Sequence, residues 1–196
     1  MLQVSHIVNS VFNSRTYILS CDGRPEYWLV DCGDVEPLRE RLAAMSGGAD
    51  FSVRGVLLTH AHFDHIYGLP RLRERFPRMG IYTNEWGRKA LGDDRLNMSR
   101  YHETPIRLEA DGIVACGEGA TVGLFEGVTA SVYETPGHNP SCLAFGVENF
   151  LFTGDAYIPG VAVVTTLPGG DKALARASLA RLQSLAEGKI LCPGHD

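Results

Sequence analysis

Residues 53–65 read VRGVLLTHAHFDH, an apolar run that empties into three of the chain's seven histidines and an aspartate within Thr59–His65. The run has the length and β-branched content of a buried strand. Residues two apart on an extended segment point the same way, so His60 and His62 can aim two imidazoles at one point. That is the arrangement a divalent metal asks of nitrogen ligands. Asp64 and His65 follow where the chain turns, facing a second point nearby, and the carboxylate is a hard ligand.

The other candidates fall at the same kind of place. His138 sits in TPGH after the apolar run VTASVYE, and His195 in CPGH after KIL; Asp155 ends LFTGD. Each lies just past a strand, where sheet proteins gather functional groups on one rim. Solvated loop histidines or a surface chelator would not share that placement. Seven ligands, His60, His62, Asp64, His65, His138, Asp155 and His195, exceed what one four- or five-coordinate ion needs, so the spacing predicts a two-metal site.

Outward from this stretch, strands are expected at SHIVN, TYILSCD and EYWLVDCG, the last two joined as a hairpin through Asp22-Gly23 and Arg24-Pro25. Val35, Leu38, Leu42 and Met45 recur at helical steps until Gly47-Gly48 stops the helix. LPRLRERF reads as a helix, GIYT as a short strand and NEWGRKAL as another helix. Then come strands at GIVAC, ATVGLF, VTASVYET, CLAFGV and NFLFTGD, a helix over roughly 171–187 with Ala175, Leu179, Leu182 and Ala186 on one stripe, and a last strand KILCPGH. Strands then helix, twice over, suggests two sheets packed face to face with helices outside. No repeat or low-complexity linker divides the 196 residues, so a single domain over 1–196 is expected.

Composition bounds the function. Hydrophobic residues make up 44% and charged residues 21%, ordinary for a globular chain. A net charge of −5 with no basic block argues against a nucleic-acid partner. No apolar run is long enough for a membrane span, and the N-terminus lacks a signal-peptide pattern. Five scattered cysteines without a CxxC pair read as free structural thiols in a reducing compartment, so a cytoplasmic location is expected. The oligomeric state is not written in these features.

In order, THAHFDH, PGH, TGD and the final PGH resemble the metal-binding motifs of the metallo-β-lactamase superfamily of hydrolases, and the resemblance runs from TYILSCDGRPEYWLVDCG to the last PGH. It implies an α+β fold, the αββα four-layer sandwich, with two divalent metals at one edge: zinc first, with iron or manganese as alternatives. It assigns one metal to His60, His62 and His138, the other to Asp64, His65 and His195, and Asp155 to both. Asp31, in LVDCG, matches the acidic residue that supports the histidine loop. Two metals would share an activated water and polarise a carbonyl or phosphoryl oxygen. Asp64 would also serve catalysis, orienting the water and helping to protonate the leaving group.

The ligand set is the one found in glyoxalase II. The chain nevertheless lacks that family's Gly-Cys-Gly-Arg-like stretch, showing AYIPGVAVVTTLPGGD after Asp155, and a glutathione-binding helical segment is not expected. The expectation is a hydrolase of a small-molecule ester, thioester or lactone. Two alternatives are a persulfide dioxygenase holding one iron through His60, His138 and Asp155, and an inactive metal-binding regulatory member. Tyr67 is a candidate for projecting over the metals, Tyr157 reads as a core or rim residue, and Lys172 as a solvated helix start. His6 and His102 are expected not to be ligands. The polar segment 84–109, with Trp86, Arg95, Met98 and Tyr101, is expected to shape the pocket.

Overall fold

A computed structural model describes residues 1–195. The first sheet has strand order β1-β2-β3-β4-β5-β6, formed by Leu2–Val8, Arg15–Cys21, Glu26–Val30, Ser52–Leu57, Gly80–Thr83 and Ile113–Ala115. The second has order β11-β10-β9-β8-β7, with β7 at Thr121–Phe125, β8 at Val128–Glu134, β9 at Leu143–Val147, β10 at Phe150–Gly154 and β11 at Ile190–Pro193. Strands β1 to β3 are antiparallel, as the expected hairpin requires, whereas β3 to β6 run parallel. Helices α1 (Val35–Met45), α2 (Phe63–Ile66), α3 (Leu69–Arg75) and α4 (Glu85–Leu91) make the connections between the parallel strands. Helix α5 (Lys172–Leu185) precedes β11, which pairs parallel to β10.

Alternation along the strands builds the layers, because successive side chains point to opposite faces. Ile18, Leu29 and Val56 turn outward to meet Leu38 and Leu42 of α1 and Leu69 and Leu72 of α3. Their neighbours Tyr17, Leu19, Trp28, Val30 and Leu57 turn inward to meet Val132, Leu143, Phe145 and Phe152 of the second sheet. Behind that sheet, Ala144 and Leu151 pack on Leu182 of α5. The result is the αββα sandwich. Polar groups caught between the sheets are satisfied across it: Trp28 Nε1 donates to Leu124 O at 2.8 Å and Tyr17 Oη to Pro193 O at 2.8 Å. The second of these holds the entry to His195 against β2.

Helix starts follow their caps. Asp171 Oδ1 accepts from the amides of Ala173 and Leu174, and Asn84 Oδ1 from that of Gly87, satisfying donors that the first turn leaves unpaired. No helix among the described residues is long and apolar enough to cross a membrane. All five cysteines are free, three of them buried.

Candidate metal centre

The sequence placed His60 and His62 on an extended segment, and the structure puts it just beyond β4, which ends at Leu57. His62 is the extended N-cap of α2, so Asp64 and His65 occupy a helix's first turn rather than a loose loop. This ligand-bearing segment is pinned to the end of β3: Cys32 N donates to His65 O at 2.8 Å, and Gly68 N to Cys32 O at 3.0 Å. Leu143 N donates to Thr59 O at 2.7 Å, tying the second sheet to the same point. His138 leaves the end of β8, Asp155 the end of β10 and His195 the end of β11.

The glycines beside the ligands have steric reasons. Gly154 adopts φ +50°, and a Cβ there would sit 2.5 Å from Thr59 Oγ1. A Cβ on Gly194 would collide with the Asp155 carboxylate and lie 2.9 Å from His65 Cε1. Only glycine lets β10 and β11 deliver Asp155 and His195 side by side.

The side chains converge in three overlapping groups: His60 with His62 and His138; His60 with His65 and Asp155; and Asp64 with His65 and His195. Within each group the potential ligand atoms all lie within 4.8 Å of one another. His65 Nε2 lies 3.2 Å from His195 Nε2, and Asp64 Oδ2 lies 3.3 and 3.2 Å from those two nitrogens. Asp155 Oδ1 is 3.4 Å from His65 Nε2 and 3.5 Å from His195 Nε2. Both histidine nitrogens thus lie within 3.5 Å of a carboxylate oxygen from Asp64 and of one from Asp155. Ligands roughly 2.0–2.1 Å from a zinc-sized ion stand about 3.3 Å apart. Toward the other cluster, Asp155 Oδ2 is 3.7 Å from His138 Nε2, which lies 2.9 Å from His62 Nδ1. The two oxygens of Asp155 thus face different clusters.

Two buried atoms here, His60 Nε2 and Asp155 Oδ1, have no hydrogen-bond partner among the described residues. A buried polar atom without a partner is costly, and an ion would satisfy both. The donor set of imidazoles and carboxylates suits first-row divalent metals, so the residues fit the expected pair of ions.

Every histidine offers one nitrogen inward and has the other held from outside. Asp31 Oδ2 lies 2.8 Å from His65 Nδ1 and accepts from Thr59 Oγ1 at 2.7 Å, and that hydroxyl lies 3.2 Å from His60 Nδ1. Asp31 Oδ1 accepts from Thr59 N at 2.8 Å. One carboxylate therefore orients His65 directly and His60 through Thr59, which fixes the tautomer that leaves Nε2 open. His138 Nδ1 lies 2.8 Å from Val164 O and His195 Nδ1 3.0 Å from Phe12 O, while the Asn139 amide lies 3.0 Å from His62 Nε2. Ser141 locks that amide by donating from N and Oγ to Asn139 Oδ1. The motif reading singled out Asp31 alone among these supports.

Electrostatics follow from crowding five imidazoles and two carboxylates in a buried rim. Burial pushes His62 down to about 3 and His60 well below its ordinary value, with neighbouring histidines adding to the effect. Burial acts the same way on His65, but Asp64, Asp155 and Asp31 outweigh it and hold the ring well above its ordinary value. His195 rises to about 9: burial lowers it, and its contacts with Asp155 and Asp64 raise it further. Burial would raise both carboxylates, yet His65 and His195 keep Asp64 and Asp155 well below the usual range. Without metal, the neighbouring carboxylates favour positive charge on His65 and on His195.

Tyr67 does not project over the site. It donates from Oη to Asp34 Oδ1 at 2.7 Å and stacks on Phe63. Tyr157 packs with Ala156 against the Leu182 cluster, and Lys172 is the exposed first residue of α5. His6 packs beside Tyr17, outside the three ligand groups. His102 is no ligand either, but it stacks on Phe63 with centroids 3.7 Å apart and planes at 13°. In the 84–109 segment, Tyr101 and Arg95 are exposed and Trp86 is half-buried.

Residues 23–195 match the family described as the Metallo-beta-lactamase superfamily. A hydroxyacylglutathione hydrolase of Xylella fastidiosa (strain 9a5c) is 33% identical over 180 residues, which cover 91% of this chain and 58% of the relative. The chain thus spans little more than half of that protein's length. Among solved structures, the BLEG-1 B3 metallo-beta-lactamase superposes with TM-score 0.86 at 31% identity, covering 99% of this chain and 92% of the other. TTHA1623, solved in a di-iron-bound form, superposes with TM-score 0.78 at 27% identity, covering 98% and 92%. With its sandwich, its convergent ligand groups and a family match over nearly the whole sequence, the chain belongs to the metallo-beta-lactamase superfamily.

Proposed function

We propose that this chain is a metal-dependent hydrolase that cleaves a small-molecule thioester, or a related ester or lactone, at a two-metal centre. The observation that carries the reading is the convergence of Asp64 Oδ2, His65 Nε2, His195 Nε2 and Asp155 Oδ1 beside the His60, His62 and His138 cluster. One ion would be held by His60, His62 and His138 and the other by Asp64, His65 and His195, with Asp155 serving both. Together they would supply a water ionised near neutral pH and a Lewis acid for the acyl oxygen. The likeness to a hydroxyacylglutathione hydrolase favours a thioester within the acyl class.

The protein's own groups do the rest. Asp31 holds His65 and, through Thr59, His60 in the tautomers that present Nε2. Asp64, held ionised by His65 and His195, orients the attacking water and carries a proton to the departing thiolate. Water adds to the acyl carbon, the carbon–sulfur bond breaks, and a carboxylic acid and a thiol leave. No serine or cysteine nucleophile is needed.

The 33% identity to a hydroxyacylglutathione hydrolase is what favours the hydrolase over the one-iron dioxygenase reading. The di-iron form of TTHA1623 keeps iron beside zinc and manganese as a candidate metal. The test is titration of metal-stripped protein with zinc, manganese and ferrous iron, read by elemental analysis and by turnover on thioester, ester and lactone reporters. Two ions per chain with metal-dependent thioester cleavage is the expected result. One tight ion with oxygen uptake on a persulfide overturns the proposal.

A further inference from the structure

Five imidazoles line the centre, and four of them meet an acceptor at the outer nitrogen. Asp31 Oδ2 faces His65 Nδ1, Phe12 O faces His195 Nδ1 and Val164 O faces His138 Nδ1. Thr59 Oγ1 donates its own proton to Asp31 Oδ2, so toward His60 Nδ1 it can only accept. When neutral, each of these four rings therefore keeps its proton on the outer Nδ1 and offers a bare Nε2 inward. His62 is mounted the other way round. Its Nδ1 points inward, 2.9 Å from His138 Nε2, and its Nε2 points outward to the Asn139 amide at 3.0 Å.

The end of the amide that meets His62 is fixed from behind. Asn139 Oδ1 accepts from Ser141 N at 2.9 Å and from Ser141 Oγ at 2.6 Å, and that hydroxyl accepts from Ala61 N at 2.9 Å. A backbone N–H can only donate, so the atom beside Ser141 is the oxygen and the atom beside His62 is the nitrogen, a donor. Asn139, Ser141 and His62 are all buried, where an opposed donor has no water to turn to. A donor facing Nε2 needs a lone pair there, which puts the one proton of a neutral His62 on Nδ1. From there it points toward His138 Nε2, a candidate ligand atom of the same cluster.

We propose that Asn139 is a positioning residue that, held by Ser141, locks His62 in the tautomer opposed to metal binding, so that the His60, His62 and His138 cluster takes its ion second and more weakly than the Asp64, His65 and His195 cluster. This rests on the two-metal part of the reading above and not on the reaction. For Nδ1 to reach an ion, the ring's proton moves from Nδ1 to Nε2, where it meets the Asn139 N–H head-on. Turning the amide over relieves that contact only by setting Nδ2 against Ser141 N. Either arrangement leaves one buried donor opposed, which weakens binding about tenfold or more.

Two variants and one spectrum test this. Asn139→Asp keeps an oxygen on Ser141 and turns a second oxygen, an acceptor, to His62 Nε2; Asn139→Ala removes the donor without adding charge. Long-range proton–nitrogen correlation spectra of the metal-free proteins read the His62 tautomer. Zinc titration, followed by the same spectra and by a competing chelator, gives the order and affinity of the two ions. The wild type should show its proton on Nδ1 of His62, and the first equivalent of zinc should move the His65 and His195 ring signals before those of His62 and His138. Asn139→Asp should show the proton on Nε2, and both variants should bind the second ion about tenfold more tightly than the wild type. An ordinary supporting contact predicts the opposite sign, since its loss weakens metal binding. A proton on Nε2 of His62 in the metal-free wild type overturns the proposal, as does second-ion binding that is unchanged or weaker in both variants. A gain in Asn139→Asp alone, with Asn139→Ala folded, also overturns it, because added charge then explains the effect. Should Asn139→Ala not fold, the tautomers of the wild type and of Asn139→Asp decide. A wild type that holds one ion while both variants hold two leaves the lock standing and overturns only the two-metal reading of the native site.

Discussion

Replacing Asp31 by asparagine tests the architecture without touching a ligand. The side chain accepts three hydrogen bonds, from Thr59 N at 2.8 Å, Thr59 Oγ1 at 2.7 Å and His65 Nδ1 at 2.8 Å, and asparagine brings one oxygen and one amide group to the same space. With its oxygen kept on Thr59 N, the amide faces His65 Nδ1 and favours the tautomer whose proton sits on Nε2. With the oxygen turned to His65, the amide faces the backbone N–H of Thr59. Either way one buried donor is left opposed, at about 1–3 kcal/mol. The backbone at φ +59° is not the issue, since asparagine accepts that region readily. We therefore expect Asp31→Asn to fold, to lose about 1–3 kcal/mol in its metal-free form, and to bind metal 10- to 100-fold more weakly, the usual cost of losing such a support. Competition against a chromophoric chelator measures the affinity, and denaturant unfolding of stripped protein the stability. Wild-type affinity for both ions would refute the tautomer argument.

Other outcomes follow from the same geometry. Asp64→Asn should lose about 10²-fold or more in turnover with near-normal thermal stability once metallated, and wild-type turnover in a sample shown to hold both metals would remove Asp64 from proton handling. Asp155→Ala should release both ions, whereas Tyr157→Phe should change metal content and turnover little; elemental analysis of the two variants decides. Because His195 is held at about 9 in the metal-free protein, its contribution to stability is present in full below its ordinary 6.5 and is lost as pH rises through about 9. Metal binding at His65 and His195 must displace those protons, so affinity should rise with pH across the same window and calorimetry near pH 7 should show proton release. Heats that do not depend on the buffer's ionisation enthalpy would contradict this.

Much of the fold was legible because its signals are periodic. The steps between Val35 and Met45 marked α1, whose limits in the structure are those residues. Alternation in TYILSC set which residues face the other sheet, and the turn at Asp22-Gly23 marked the hairpin. What periodicity does not carry is a four-residue helix. Asp64 and His65 read as turn residues, yet Phe63–Ile66 closes into α2 because Cys32 clamps its backbone from a distant strand. Tertiary contacts impose that turn; local preference does not.

The ligand cluster was legible for a different reason: histidine is scarce, and its chemistry leaves few explanations when it recurs at strand exits. The layer behind it was not. Thr59 and Ser141 are common residues whose roles depend on a hydroxyl meeting a partner across the fold, and the carbonyls of Phe12 and Val164 carry no side-chain signature at all. Those outer contacts decide whether each imidazole presents a nitrogen or a proton to the centre. Seven candidate ligands in a sequence point to a metal. The carboxylates around the histidines determine at what pH the site gives up its protons to bind one: Asp64, Asp155 and Asp31 raise His65, and Asp155 and Asp64 raise His195. The carboxylates that hold protons on these histidines are thus the groups proposed to draw in the metal. Weakening any of them should loosen both at once, so the metal-free protein's alkaline stability limit and its metal affinity should shift together across a variant series.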